Sequence, residues 1–143
     1  LPISRAAAGN SVSDIQELCT YAHRYGVKVF VTVNTIVYED ELEDTQRLIW
    51  DLYRAGADAI LVQDMALLKM QLPPIALHAS TQTDNRSPEK VNWLLSHGFE
   101  RVVLARELSI DEIKRIHQQL PHAELEVFVH GALCVSYSGV CYV

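Results

Sequence analysis

Two cysteines near the end of the chain are the residues whose type and spacing most strongly suggest chemistry. Cys134 and Cys141 lie in a segment of small residues that follows an apolar, β-branched run. Thiolates are soft ligands that suit zinc or an iron–sulphur cluster, and glycine and serine let backbone N–H groups approach the sulphurs. A cluster normally needs about four ligands, so the others would have to come from elsewhere. Taken alone, the pair is equally compatible with inert or redox-active thiols.

Further polar residues occur at the carboxyl ends of the predicted strands. In a parallel α/β protein the loops after these ends gather at one face, so residues distant in sequence converge there. A histidine at such an end can bind metal or transfer protons, and an arginine can clamp a carboxylate or phosphate. The catalytic candidates are Arg106, Glu107 and His130, and the substrate-binding candidates are Asn34, Gln63, Asp64, His78, Ser80 and Gln82.

Several of these residues also have ordinary structural interpretations. Asp64 can be the N-cap of the short helix predicted to follow it. Arg106 and Glu107 can form a simple ion pair, and His78 and His130 can be hydrogen-bonded histidines at the end of a sheet. The sequence also shows neither a His-Glu-x-x-His helix nor a Gly-x-Ser-x-Gly elbow, which are typical of zinc peptidases and serine hydrolases.

A repeated unit of helix, glycine and strand must position these residues. An amphipathic stretch ends at Gly26, Gly56 and Gly98, each predicted to take a positive φ after a helix. Because single helices connect the strands, the strands should run parallel. Strands are predicted at 27–33, 59–62, 75–79, 101–105 and 125–129.

The predicted helices have recognisable starts and buried faces. Ser13 is the predicted cap of the first helix, and Ser87 followed by Pro88 starts a later one. Ser109 and Glu112 match a capping box. The second helix is predicted at 40–55, and a brief one at 65–70. The apolar face predicted for the first helix consists of Ile15, Leu18, Cys19 and Ala22, which gives Cys19 a core role in preference to ligation.

Composition sets outer bounds on the function. With 143 residues, of which 49% are hydrophobic, the chain is predicted to form one domain over 1–143 and no second domain. The net charge of −6 includes no basic stripe that would by itself indicate a nucleic-acid-binding surface. No apolar run approaches the roughly 20 residues that cross a bilayer, so we expect no membrane contact and a cytoplasmic location.

Five parallel strands fit either a doubly wound sheet or part of a barrel, and a family resemblance favours the barrel. The segment from Glu124 to Cys141 resembles the signature of the collagenase-like peptidase family, whose catalytic type was never assigned. Other segments resemble the family's successive strand ends in order, and the likeness extends from about Asn10 onward. The segments are 29–35, 60–64, 77–82 and 101–109.

The resemblance implies a fold class and a place for this chain within it. The fold is an α/β, eight-stranded β/α barrel of the TIM type, of which the chain supplies strands three to seven. A partial barrel exposes unpaired sheet edges, so we expect self-association of the chain. We also expect the fragment by itself to be inactive.

The resemblance implies two conflicting functions. One is peptidase activity on collagen-like substrates, and the other is oxygen-independent hydroxylation of RNA bases or quinone precursors with an iron–sulphur cluster. The cysteines favour RNA base hydroxylation, in tRNA or rRNA, with a peptidase that needs no cofactor as the alternative. By resemblance, Cys134 and Cys141 are the first two of four cluster ligands. A non-catalytic binding scaffold is the third hypothesis.

Overall fold

The computed structural model describes residues 10–131 and 134–140, and none of the helices within them is long and apolar enough to cross a membrane. The chain divides into two compact units, Leu1–Ala76 and Leu77–Val143. In both units strands alternate with helices, and every pair of strands described below is parallel. The predicted parallel α/β class is confirmed.

The described part of the first unit contains two α-helices and two strands. Its elements in chain order are α1 (Val12–His23), β1 (Phe30–Val33), a 3-10 turn (Glu39–Glu41), α2 (Leu42–Arg54), β2 (Ala59–Val62) and a 3-10 helix (Met65–Lys69). Strand β1 pairs with β2, and Val31 lies opposite Ile60 in the register. Ile49 of α2, Ile60 of β2 and Leu67 are fully buried and form the centre of its core.

The described part of the second unit carries three further strands. The elements are β3 (Ala76–Ala79), a 3-10 turn (Thr81–Thr83), α3 (Pro88–Ser96), β4 (Phe99–Val103), α4 (Ile110–Gln119) and β5 (Glu124–Glu126). Strand β4 lies between β3 and β5, and it places Arg101 beside His78 on one side and Glu124 on the other. Helix α3 packs against β4, and Val91, Leu94 and Val102 are completely buried.

Most of the predicted helix boundaries are confirmed. The Ser87 hydroxyl accepts a hydrogen bond from the backbone of Lys90 at 3.2 Å, and Pro88 begins α3. The Ser109 and Glu112 capping box starts α4. The three glycines predicted to follow helices have φ values of 68°, 95° and 91°, in the region where a side chain would be strained.

The start and face of α1 differ from the prediction. Ser11, not Ser13, is the N-cap, because its hydroxyl and backbone N–H exchange hydrogen bonds with Asp14 three residues later. Leu18 is 48% exposed, whereas Cys19 is 2% exposed. One residue turns a helix by about 100°, so a line of buried residues through Cys19 leaves Leu18 facing outward. The core role predicted for Cys19 is confirmed.

The last strand is shorter than predicted. β5 ends at Glu126, and the apolar residues after it are exposed, with Val129 at 90%. The hydrogen bond from the Leu104 backbone to the Glu126 carbonyl is the last contact of this ladder. β-Branched residues favour a strand only where a neighbouring backbone can pair with them, and among the described residues β4 provides no further pairing.

Candidate functional site

The segment that follows β3 is fixed by a buried amide. Asn85 is fully buried, and its side-chain N–H groups donate to the carbonyls of Ser80 at 3.0 Å and Val103 at 2.8 Å. The Thr83 hydroxyl donates to the Asn85 side-chain oxygen at 2.7 Å. These bonds attach residues 80–85 to the end of β4, where Ala105 N–H in turn donates to the Asn85 carbonyl. Sequence reasoning missed Asn85, because a buried asparagine has no periodic signal.

Arg106 connects the end of β4 to the segment with the first cysteine of the pair. We call residues 134–140 the cysteine loop. The Arg106 backbone N–H donates to the Ser138 hydroxyl at 3.3 Å, and its guanidinium donates to the Ser136 carbonyl at 2.8 Å. Ser138 is 1% exposed, so the contact between its hydroxyl and Arg106 is shielded from solvent. Arg106 therefore binds the chain's own loop.

Glu107 holds the same loop from a second direction. One carboxylate oxygen accepts the Ser138 backbone N–H at 2.8 Å, and the other lies 3.3 Å from the guanidinium of Arg86. Partial burial opposes ionisation of Glu107, but the hydrogen bonds from Ser138 and the charge of Arg86 outweigh it and lower the pKa of Glu107. The Glu107 carboxylate is therefore charged at neutral pH, with one oxygen in a hydrogen bond to Ser138 and the other in an ion pair with Arg86.

Arg86 and Tyr137 make the remaining contacts between the cysteine loop and the segment after β3. The Arg86 guanidinium forms an ion pair with Asp84 and lies 4.6 Å from the centroid of the Tyr137 ring, a cation–π distance. Gly139 has a φ of 86°, and a Cβ at this position would lie 2.8 Å from the Cβ of Asp84. The loop thus packs closely against residues 82–86. Sequence reasoning missed Arg86 because it does not lie at the end of a predicted strand.

Cys134 is exposed at the start of the loop. A hydrogen bond from Arg106, followed by one from the Ser136 backbone, lowers the pKa of its thiol. A thiol that ionises readily suits a soft metal or cluster, so this residue fits the predicted ligand. Cys141 lies outside the described residues. Within the described ranges, no group of three or more His, Cys, Asp or Glu residues could hold a metal ion.

The two predicted histidines have different surroundings. His78 is 4% exposed, and its pKa is lowered by burial and then by the charge of the adjacent Arg101. Arg101 also pairs with Glu124 at 2.9 Å and Glu126 at 3.5 Å, so this face of the sheet is polar. His130 is exposed, and no described hydrogen bond joins it to the cysteine loop.

The remaining candidates lie at the strand ends in both units. In the second unit the Ser80 hydroxyl accepts the Gln82 backbone N–H at 3.3 Å. In the first unit the two carboxylate oxygens of Asp64 accept the backbone N–H groups of Ala66 and Val37, both at 2.9 Å. The N-cap interpretation of Asp64 is therefore confirmed.

Two glutamines carry buried oxygens near these strand ends. The side-chain oxygens of Gln63 and Gln82 have no hydrogen-bond partner within the described ranges, and such an oxygen usually gains one from a ligand or water. Asn34 follows β1 and is half-buried. A substrate-binding role for Asn34, Gln63, Asp64, His78, Ser80 and Gln82 stays a prediction.

The strand arrangement and the polar strand ends define a parallel β/α protein. A solved U32 peptidase structure matches with a TM-score of 0.69 and 16% sequence identity, over 87% of this chain and 55% of that chain. At this identity the likeness concerns the fold alone. It resolves the choice between a doubly wound sheet and a barrel in favour of the partial TIM-like barrel.

The profile of peptidase family U32 matches residues 3–143, and the chain belongs to this family. It is 57% identical over 140 residues to the 23S rRNA 5-hydroxycytidine C2501 synthase of Escherichia coli, covering 98% of this chain and 21% of that protein. It is 39% identical over 123 residues to the tRNA hydroxylation protein P of Haemophilus influenzae, covering 84% of this chain and 27% of that protein. The chain thus spans about a fifth to a quarter of the length of these relatives.

Proposed function

We propose that the protein hydroxylates bases in ribosomal or transfer RNA with the help of an iron–sulphur cluster. The observation that carries the proposal is the exposed Cys134, whose thiol has a lowered pKa and whose loop is fixed to the end of β4. The two relatives named for RNA hydroxylation support the choice of substrate. RNA is therefore the proposed partner, and the cytoplasm the proposed location.

Cys134 and Cys141 would provide two ligands for the cluster, and the remaining ligands would come from elsewhere in the protein. When bound, an iron–sulphur cluster would supply one-electron transfer at this site. Arg106 holds the cysteine loop and orients the thiol of Cys134. His130 presents an exposed imidazole that could accept a proton.

The direct test is an iron and acid-labile sulphide assay on the intact protein purified without oxygen. We expect both elements in the wild type and a loss of both in Cys134→Ala and Cys141→Ala. Cys19→Ala is the matched control, because Cys19 is a buried core residue. Wild-type protein that stays colourless and free of iron after reconstitution would reject the cluster.

The substrate is tested separately by mass spectrometry of nucleosides. RNA from cells that lack the gene should lose a hydroxylated nucleoside, and a plasmid copy of the wild-type gene should restore it. The Cys134→Ala gene should not restore it. An unchanged nucleoside profile in the deletion strain would reject RNA hydroxylation.

The family's description as a peptidase supports a second candidate function. A peptidase would use carboxylates and histidines near the strand ends, such as Glu107 and His130. Cleavage of denatured collagen that disappears in Glu107→Ala or His130→Ala would favour this candidate. Absence of cleavage by the wild-type protein would remove it.

We further propose that the 143-residue chain by itself self-associates. Within the described ranges β5 pairs only with β4, and Phe128 and Val129 after it are 64% and 90% exposed. An unpaired strand edge beside exposed apolar residues favours pairing with another chain. Size-exclusion chromatography with light scattering should give a mass above 16.1 kDa, and a stable monomer would contradict the proposal.

A further inference from the structure

We propose that Glu107 is a positioning residue that fastens the cysteine loop to the end of β4, and that Arg86 holds its carboxylate in place. The predicted catalytic role for Glu107 would require a carboxylate available to a substrate. Both of its oxygens instead contact the protein, one at Ser138 and the other at Arg86.

Ser138 is the residue of the loop that Glu107 contacts, and it is buried. Ser138 is 1% exposed, although Cys134, Val135 and Tyr137 of the same loop are exposed. A buried backbone N–H needs an acceptor, and here that acceptor is the Glu107 carboxylate at 2.8 Å. The Ser138 hydroxyl meanwhile accepts the Arg106 backbone N–H. Two consecutive residues after β4 thus bind the same residue of the loop.

Arg86 controls the direction of the carboxylate. Its guanidinium lies 3.3 Å from the second Glu107 oxygen and pairs with Asp84 on its other side. The side chains of Arg86 and Glu107 are only 31% and 24% exposed, so water screens their attraction less than at the surface. The Tyr137 ring covers the same guanidinium. Arg86 therefore contacts Glu107, Asp84 and the Tyr137 ring of the loop at the same time.

The contacts that hold the loop in this way are made by the chain's own residues. A fixed loop presents Cys134 in one orientation, and a ligand that is already positioned loses less entropy on binding. The expected effect of Glu107 on cofactor retention rests on the proposed function, but the attachment of the loop by Glu107 does not. Attachment of the loop and retention of the cofactor are therefore measured separately.

Fastening is measured by amide hydrogen exchange in the intact, cofactor-free protein. In Glu107→Ala, exchange in the peptide containing Ser138 should accelerate by about tenfold or more, since a buried hydrogen bond to a charged group is lost. In Glu107→Gln it should stay within about threefold of wild type, because the amide oxygen can still accept the Ser138 N–H. Exchange in α4 should not change in either variant. Glu100→Ala, which removes an exposed carboxylate from β4, is the matched control.

Exchange at Ser138 that is unchanged in Glu107→Ala, or equally fast in Glu107→Gln, would overturn the proposal. Should Glu107→Ala fail to fold, Arg86→Ala decides the question by the same comparison. In Arg86→Ala, exchange that is faster in the loop and unchanged in α4, relative to wild type, supports the role of Arg86. Exchange in the loop that equals that of the wild type contradicts it.

Iron retention provides the second readout. Glu107→Ala should lose iron faster than Glu107→Gln during dialysis against a chelator, and Glu100→Ala should match the wild type. Iron-free wild-type protein would refute the cluster while leaving the exchange result intact. Equal iron loss from Glu107→Ala and wild type, with exchange at Ser138 accelerated, would overturn the link between fastening and cofactor retention.

Discussion

Replacing Asn85 with alanine should reveal how strongly the segment after β3 is held. The substitution removes three hydrogen bonds, two donated by the Asn85 amide and one accepted from Thr83. The Ser80 carbonyl keeps the Thr83 hydroxyl as a donor at 2.8 Å, but the described contacts offer the Val103 carbonyl no substitute. Net contributions of about 1 kcal/mol for each of the three bonds, plus about 1–3 kcal/mol for the buried carbonyl left unsatisfied, give a loss of about 4–6 kcal/mol.

The loss in stability is measured by urea unfolding of the wild-type and variant proteins. Asn92→Ala is the matched control, because Asn92 lies exposed on α3 and its replacement should change stability by less than about 0.5 kcal/mol. Asn85→Asp should be at least as damaging as Asn85→Ala, since a carboxylate cannot donate to the two carbonyls. A loss below about 1 kcal/mol in Asn85→Ala would refute the reasoning, because the three bonds would then contribute almost nothing.

Three other predictions address the loop, a helix cap and a histidine. Gly139→Ala should destabilise the protein by about 1–3 kcal/mol in thermal unfolding, whereas Gly131→Ala should cost less. Both glycines have positive φ, but of the two only Gly139 would bring a Cβ against another described residue. Asp64→Ala should lower stability by about 1–2 kcal/mol through loss of the cap and the bond to Val37, and an unchanged midpoint in urea would contradict the cap. His78 has a lowered pKa in the folded protein, so the unfolded chain binds its proton first as the pH falls. Stability should therefore decrease as pH drops below about 6.5, and His78→Gln should weaken this dependence.

Much of the fold could be predicted because its signals are local. A serine before Pro88, the Ser109 and Glu112 capping box, and glycines at helix ends specify boundaries within four residues of chain. Cys19 could be assigned to the core because helical spacing alone placed it with Ile15 and Ala22. The error at β5 arose where the decision was not local. β5 stops after Glu126 although Val127 to Val129 have high strand propensity, because propensity cannot supply a pairing partner.

The sequence by itself indicated the elements and their parallel order, and it predicted the cysteine loop as a ligand segment, because these inferences depend on residue type and short spacing. It also gathered Arg106, Glu107 and Cys134 as candidates for one site. Only the tertiary structure decided what Glu107 does, since its partners Ser138 and Arg86 lie 31 residues after it and 21 before it. Contacts between side chains so far apart depend on how strands and loops pack, and no pattern within a short window records that packing.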